Sequence, residues 1–245
     1  MTHHSWLVVP GFDEMQLGVA MGGGADVIVA DMTCRDPMRS SHASRYFTAE
    51  WLKANRRGDQ EGLIGRWVKI HPIDHSGQWR EDLVAVMQGA PDGIILPCSQ
   101  GPESVRQLGA ELYELEQRNQ LRTHNTRIIP IVGETPQAAL TVTHYLEAIH
   151  QRLIGLAWGE DNLASAIGAT RQADASGHRT STFDYVRARV LLTAHALGVL
   201  ALETIPTCNE GRPALEALVR NTRADGFSGM LALRADQVPV INIHF

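Results

Sequence analysis

Short runs rich in Val, Ile and Leu recur at fairly even intervals along the 245-residue chain. Nearly all of them end in Gly, Pro, Asp or Glu, and none alternates strictly between apolar and polar residues. Such runs are typical of strands that are buried on both faces, as in parallel sheets covered by helices. The eight runs are SWLVVPG (5–11), ADVIVADM (25–32), RWVKIHP (66–72), DGIILP (92–97), RIIPIVGE (127–134), RLIGLAWGED (152–161), VLALETI (199–205) and GMLALRADQ (229–237).

Most segments between these runs have helical periodicity. After the fourth run, apolar residues recur at spacings of three and four, as on one face of a helix: Val105, Leu108, Leu112 and Leu115. Buried strands that alternate with helices, in a chain of this length, predict an α/β fold with one domain over residues 1–245, a (β/α)8 TIM barrel. Such barrels carry their active sites at the C-terminal ends of the strands, so these ends hold the candidate functional residues.

Composition and charge exclude several classes of protein. The net charge is −5 and no basic run is present, so nothing indicates nucleic acid or an anionic membrane surface as a partner. No apolar run approaches the roughly 20 residues that span a bilayer, and the first residues do not read as a signal peptide. The three cysteines form no CxxC pair. We therefore expect a cytoplasmic protein.

Carboxylates and cationic side chains accumulate at the predicted strand ends. Oxygen ligands in a partly hydrated pocket suit Mg²⁺, which binds through one or two carboxylates and leaves its other positions to water and substrate. A divalent ion at this rim could hold an oxyacid and stabilise an enolate. From the second run to the eighth, the polar residues at the rim include Asp31, Lys69, His71, Glu134, Glu160, Asp161, Asn162, Glu203, Arg234 and Asp236.

Several motifs, in their order along the chain, resemble the HpcH/HpaI aldolase family, and within it the citrate lyase beta-subunit type. SWLVVPG (5–11) is similar to SLLFVPG in that family, and GADVIVADMTCRDP (24–37) to GADAVILDLEDSVP. PDGIILPC (91–98) is similar to ADGIVLPK, and GEDNLASAIG (159–168) to GAEDLAADLG. Near the end, GFSGMLALRADQVPVIN (226–242) is similar to GFDGKLAIHPSQVEVVN. The resemblance covers practically the whole chain and supports the barrel.

The resemblance implies a carbon–carbon lyase that depends on Mg²⁺ or Mn²⁺ and acts on a hydroxy acid or an acyl-CoA thioester through a metal-stabilised enolate. It implies Glu134 as one metal ligand. The family's second ligand, an Asp, falls on Asn162, and Asp161 lies one position earlier, so either residue could serve. The implied partners are a small oxoacid or acyl thioester and further copies of the chain in a homo-oligomer, a trimer or hexamer. Phe245 follows soon after the eighth run, so we expect no C-terminal lid extension.

The same correspondence indicates catalytic and substrate-binding residues. Lys69 stands where the family has an Arg that contacts the bound acid, and Asp31 is the intact part of an acidic DLED element, so both are expected to be catalytic. Lys69 is also expected to bind substrate, together with His71, Pro97 and Cys98. Lysine keeps the charge of arginine but loses its bidentate fork. A catalytically degenerate paralogue that binds a small acid or a partner subunit is therefore the alternative.

Structural roles for the same residues stay open at this point. Glu134 could cap the helix that begins after it, and Asp161 could be the N-cap of the next helix. Lys69 could pair with a rim carboxylate for structural reasons only. Zn²⁺ is a further alternative because soft ligands fall near strand ends, although their spacing matches no zinc motif: Cys34, Cys98 and His71.

Overall fold

The computed structural model describes residues 3–33, 41–56, 64–174, 178–207 and 211–245. In these ranges the strands form a closed parallel barrel, in which each strand pairs with the next and the last pairs with the first. The predicted (β/α)8 TIM barrel is therefore confirmed. The strands are β1 (Ser5–Pro10), β2 (Val27–Asp31), β3 (Gly65–Lys69), β4 (Gly93–Leu96), β5 (Arg127–Val132), β6 (Gly155–Trp158), β7 (Leu200–Thr204) and β8 (Gly229–Ala232).

Helices connect the strands and pack around the barrel. Among the described helices, none combines the length and the apolar character that crossing a bilayer requires. Short 3₁₀ segments lie at Met87–Gly89, Val142–Leu146 and Ala235–Gln237. The α-helices are α1 (Glu14–Ala20), α2 (Ser41–Ala54), α3 (Gln78–Val86), α4 (Pro102–Arg118), α5 (Pro136–Leu140), α6 (Glu160–Ile167), α7 (Ser181–Leu197), α8 (Arg212–Ala224) and α9 (Val238–His244).

The helices cover the barrel with the apolar faces that the sequence pattern indicated. Val105, Leu108, Leu112 and Leu115 on α4 are all buried in the layer between helices and strands. Removing apolar area from water stabilises this layer by roughly 25 cal/mol per Å². The predicted helical stripe is thus confirmed, and α4 packs on β5.

Large side chains fill the interior of the barrel. Trp6 and Trp67 meet there edge to face, with ring centroids 5.0 Å apart. A Cβ atom built on Gly93 would lie 2.4 Å from the Trp67 ring, so this close approach requires glycine. Side chains on a strand alternate between its two faces, so Lys69 points to the same interior as Trp67, one layer nearer the mouth. Trp6 and Trp67 therefore close the barrel below its mouth, and Lys69 lies above them.

Two of the predicted strands end earlier than the sequence pattern suggested. β6 ends at Trp158, and Glu160 and Asp161 lie in the first turn of α6. β8 ends at Ala232, before the 3₁₀ segment at Ala235–Gln237. Acidic residues favour the first turn of a helix because its N–H groups are unpaired there, which explains the early start of α6.

A fully buried ion pair joins elements at the N-terminal end of the barrel. The two Nη atoms of Arg152 each lie 2.7 Å from a carboxylate oxygen of Glu116. Arg152 also donates to the carbonyl oxygen of Thr126 at 3.0 Å, and the N–H groups of Thr126 and His124 donate to Glu116. Burial alone would raise the pKa of Glu116, but Arg152 and the two N–H groups outweigh it and hold this pKa below its usual range.

Candidate active site

A cavity of about 250 Å³ opens at the C-terminal mouth of the barrel. The ends of β3, β5 and β7 and the start of α6 contribute to its wall. Five of the residues singled out in the sequence line it: Lys69, Glu134, Glu160, Asp161 and Asn162. The barrel therefore brings together side chains that are far apart in the chain.

Glu134 reaches this cavity through a turn after β5. Gly133 has φ 76°, a left-handed conformation that glycine adopts without strain. A Cβ atom on Gly133 would lie 2.7 Å from Cγ1 of Val186, so the turn also passes too close to α7 for a larger residue. The N-cap of α5 is Thr135, whose hydroxyl accepts the N–H of Ala138 at 3.2 Å. The capping alternative for Glu134 is thus wrong, and its buried carboxylate is left for the cavity.

Both carboxylate oxygens of Glu134 have protein donors. The backbone N–H of Cys98 donates to Oε2, and the side-chain amide of Asn162 donates to Oε1. Cys98 itself has φ 52°, and this left-handed turn after β4 directs its N–H towards Glu134. Burial raises the pKa of Glu134 more than these donors and the nearby Lys69 lower it, so the net pKa is above its usual value. A half-turn of the Asn162 amide would present its carbonyl oxygen instead.

Lys69 is held at the mouth by Asp31. Nζ of Lys69 lies 3.0 Å from Oδ2 of Asp31, and both side chains are partly exposed. The N–H and hydroxyl of Thr33 donate to the other oxygen of Asp31 at 2.8 and 2.6 Å. Burial lowers the pKa of Lys69, but the negative charges of Asp31 and Glu134 raise this pKa by more, so the net pKa lies above its usual value. Lys69 is therefore charged at neutral pH, and because an ammonium group has three donors, it can bind an acid while paired with Asp31.

His71 is anchored away from this group. Its backbone N–H and its ring Nδ1 lie 2.8 and 2.7 Å from Oδ2 of Asp82, a completely buried residue of α3. Arg45 donates to the other oxygen of Asp82 at 2.8 Å. His71 is not among the residues that line the cavity, whereas Cys98 contacts the site through Glu134. Substrate binding by His71, Pro97 and Cys98 stays a prediction.

The described part of the chain contains no group of three or more His, Cys, Asp or Glu side chains that could hold a metal ion. Of the suggested Zn²⁺ ligands, Cys34 lies outside the described residues. A hard divalent cation at Glu134 could still take the amide oxygen of Asn162 as a ligand and complete its shell with water and substrate, as Mg²⁺ commonly does. The donor set thus fits such an ion with a single carboxylate.

Asp161 connects the segments that follow α6 and β7. Its Oδ1 accepts a hydrogen bond from Nε2 of Gln172 at 2.8 Å, and its Oδ2 accepts one from the backbone N–H of Thr207 at 3.3 Å. The N-cap of α6 is Gly159, so the capping alternative for Asp161 is wrong. Of the two candidates for the second metal ligand, Asn162 is the residue that contacts Glu134.

If the cavity binds an acid, as the resemblance implies, we expect Asp161→Ala to weaken that binding several-fold, because Gln172 and Thr207 would lose their shared acceptor and the wall at Thr207 would loosen. Titrations with pyruvate and with Mn²⁺, followed by EPR, separate the two effects. The affinity for pyruvate should fall, and the affinity for Mn²⁺ at saturating pyruvate should equal that of the wild type. Asp184→Ala, on the exposed side of the first turn of α7, is the matched control. Loss of Mn²⁺ binding in Asp161→Ala would make Asp161 a ligand.

The sequence analysis missed Arg179, which lies just before α7. Its Nε is 2.5 Å from Glu160, and its Nη2 is 2.8 Å from Glu203. Glu203 was expected at the rim, but its side chain points outward from β7 and also accepts from Arg187 at 2.6 Å and from Thr222 at 2.6 Å. The side chain of Glu203 points outward because successive side chains on a strand alternate between its two faces, and the neighbours of Glu203 on β7 point inward. Nothing in the local pattern around Arg179 indicates its two partners.

Comparisons with known proteins identify the family to which the sequence is similar. A family model described as HpcH/HpaI aldolase/citrate lyase matches residues 4–235. Mitochondrial citramalyl-CoA lyase of Mus musculus is 25% identical over 250 residues, which cover 98% of this chain and 70% of that protein. (3S)-malyl-CoA thioesterase of Cereibacter sphaeroides is 24% identical over 242 residues, 98% of this chain and 76% of that protein. These matches confirm the resemblance found in the motifs.

A solved structure also matches the fold. It is the citrate lyase beta subunit from M. tuberculosis complexed with oxaloacetate and magnesium, which aligns with a TM-score of 0.78 at 22% identity. The alignment covers 99% of this chain and 96% of that chain. At this identity the likeness supports the barrel fold.

Proposed function

The chain belongs to the HpcH/HpaI aldolase/citrate lyase family, and on that premise we propose that it is a divalent-metal-dependent carbon–carbon lyase for a small hydroxy acid or its acyl-CoA thioester. The observation that carries the proposal is the meeting of Glu134, Asn162 and Lys69 at one cavity. A buried carboxylate, an amide and an ammonium group supply a cation ligand set and a group that binds an acid. The cytoplasmic location and the homo-oligomer stay predictions.

Glu134 and the carbonyl oxygen of Asn162 would hold Mg²⁺ or Mn²⁺. Carboxylate and amide oxygens are ligands that these hard cations accept, and they keep several positions for water and substrate. When bound, the ion supplies charge stabilisation for the oxygen of an enolate. The magnesium and oxaloacetate in the M. tuberculosis structure are consistent with this assignment.

Lys69 would bind the carboxylate or carbonyl oxygen of the acid and stabilise negative charge as it develops there. Asp31 and Thr33 fix the position of its ammonium group before substrate arrives. Asp31 is the candidate for taking the proton from the hydroxyl group of the substrate. The carbon–carbon bond then breaks, one fragment leaves with a new carbonyl group, and the electron pair of the broken bond forms the enolate of the other.

A non-catalytic paralogue that binds a small acid is the second candidate. One observation favours it: Asn162 donates to Glu134, so the charge of this carboxylate is met by protein donors without a cation. Because Glu134 then needs no cation, the cavity could hold an acid through Lys69 alone.

An activity panel separates these functions. The purified protein is incubated with hydroxyacyl-CoA thioesters and free hydroxy acids, with Mg²⁺ or Mn²⁺ and with a chelator. Oxoacid or aldehyde products report carbon–carbon cleavage, whereas a free thiol reports thioester hydrolysis, the activity named for the Cereibacter sphaeroides relative. Metal-dependent carbonyl product supports the lyase. If no compound is cleaved but acids still raise the unfolding temperature, the binding paralogue replaces it.

We expect Glu134→Gln to weaken Mn²⁺ binding by at least about 100-fold, the upper range for loss of a supporting residue around a metal. The amide keeps the size of the side chain but removes the carboxylate charge from the cavity. Mn²⁺ titration followed by EPR, with pyruvate present, measures the effect, and Glu14→Gln at an exposed position of α1 is the control. Unchanged affinity in Glu134→Gln would place the ligands elsewhere.

A further inference from the structure

We infer that Asn162 makes metal binding conditional on a bound acid, so that cation and acid bind together and each binds poorly alone. The inference deepens the proposed function, because it rests on a cation site at Glu134. It concerns the order and linkage of binding, which follow from the contacts and charges of three side chains: Glu134, Asn162 and Lys69.

The first step concerns the protein without ligands. Asn162 donates to one oxygen of Glu134 and the Cys98 N–H to the other, so this buried carboxylate is already satisfied. To ligate a cation, Asn162 must give up a hydrogen bond to a charged group, which is among the stronger kinds, and turn its carbonyl oxygen inward. Two carboxylates at these positions would instead repel each other, and a cation would relieve that repulsion. With asparagine at this position there is no such repulsion, so its relief does not favour cation binding.

The second step is the charge of the cavity. Of the three carboxylates that line the cavity, Glu160 is paired with Arg179, and the oxygens of Asp161 accept hydrogen bonds from Gln172 and Thr207. Glu134 is the carboxylate that Asn162 contacts. Lys69 lines the same cavity with its ammonium group. A divalent cation ligated by Glu134 and Asn162 would therefore have one charged protein ligand, and the ammonium group of Lys69 in the same cavity would oppose its binding.

A chelating acid supplies what the cavity lacks. Its carboxylate adds a negative charge, and its neighbouring carbonyl or hydroxyl oxygen adds a second ligand, while the same group can bind Lys69. Cation and acid then stabilise each other, and by linkage each tightens the other by the same factor. The cavity should thus select 2-oxo and 2-hydroxy acids, which chelate through adjacent oxygens, over simple carboxylates.

Mn²⁺ titration of the whole chain, followed by EPR, tests the inference with pyruvate as the chelating acid and acetate as the simple one. In the wild type we expect pyruvate to tighten Mn²⁺ binding by about tenfold or more and acetate to have a much smaller effect. In Asn162→Asp, Mn²⁺ alone should bind about tenfold more tightly than in the wild type, and the pyruvate effect should shrink. Asn221→Asp adds the same charge on the exposed side of α8 and should change nothing.

Each outcome decides the inference. Equal Mn²⁺ affinity with and without pyruvate in the wild type overturns it, and this comparison needs no variant. No gain of affinity in a folded Asn162→Asp protein also overturns it. Metal-dependent cleavage without this linkage would keep the proposed lyase and reject the inference. Linkage without cleavage of any compound would keep the inference and reject the lyase, leaving a non-catalytic protein that binds cation and acid together.

Discussion

Lys69→Ala is expected to lower kcat/KM by about 10²–10³-fold, the loss found when one donor to a developing oxyanion is removed. Lys69 is positioned for this role because Asp31 and Thr33 hold it at the mouth, in the cavity that Glu134 also lines. The fold should tolerate the change, because Asp31 keeps both hydrogen bonds from Thr33 and is partly exposed to water. Kinetics on the substrate that the panel identifies, together with thermal unfolding, measure both effects.

Two further variants make this result specific. Lys69→Arg keeps the positive charge with a different shape, so it should retain more activity than Lys69→Ala. Lys53→Ala removes an exposed lysine that pairs with Glu50 on α2, and it should leave activity unchanged. If Lys69→Ala reduced the unfolding temperature strongly and kcat/KM only slightly, Lys69 would be a structural partner of Asp31, and the acid would be bound by other groups.

The fold could be predicted because its signal is local and repeated. Each strand is buried on both faces, so its run of Val, Ile and Leu identifies it without knowledge of its neighbours. Once the barrel is accepted, strand ends that are distant in the chain must meet at one mouth. Lys69 and Glu134 were therefore placed in one cavity from sequence alone, 65 residues apart.

The choice between Asp161 and Asn162 depended on where a helix begins, which sequence patterns locate to within only a few residues. Both residues lie in the first turn of α6. Successive residues of a helix point about 100° apart, so one of them faces Glu134 and the other faces Gln172 and Thr207. Residue type alone favoured the carboxylate of Asp161 as the metal ligand, but the side chain that contacts Glu134 is the amide of Asn162.

Arg179 could not be assigned because its partners are determined by the path of a loop. The segment before α7 is polar and has no helical or strand period, so its side chains have no predictable direction. Only in the folded chain does Arg179 lie between Glu160 and Glu203. Interactions between loops and strand ends are the part of this site that a single sequence leaves undetermined.

At the opposite end of the barrel, Arg152→Met is expected to lower the free energy of unfolding by about 3–5 kcal/mol, because it leaves the buried charge of Glu116 without its partner. In a chain of this size the unfolding temperature should fall on the order of 10 °C. Thermal and denaturant unfolding measure the change. Arg127→Met, at an exposed position that makes a 3.3 Å hydrogen bond to Gln151, is the control and should cost less than about 0.5 kcal/mol.

The pair itself, and not the packing of the arginine stem, should account for this loss. Glu116→Gln combined with Arg152→Met leaves no unpaired charge, so the double variant should be more stable than Arg152→Met alone. The pKa of Glu116 is lowered in the folded wild type, so the contribution of the pair is complete above the unfolded carboxyl pKa of about 4.3 and is lost as the pH falls through the folded value. The difference in stability between wild type and Arg152→Met should therefore narrow in acid. A difference that stays constant with pH, together with a double variant no more stable than Arg152→Met, would attribute the loss to packing.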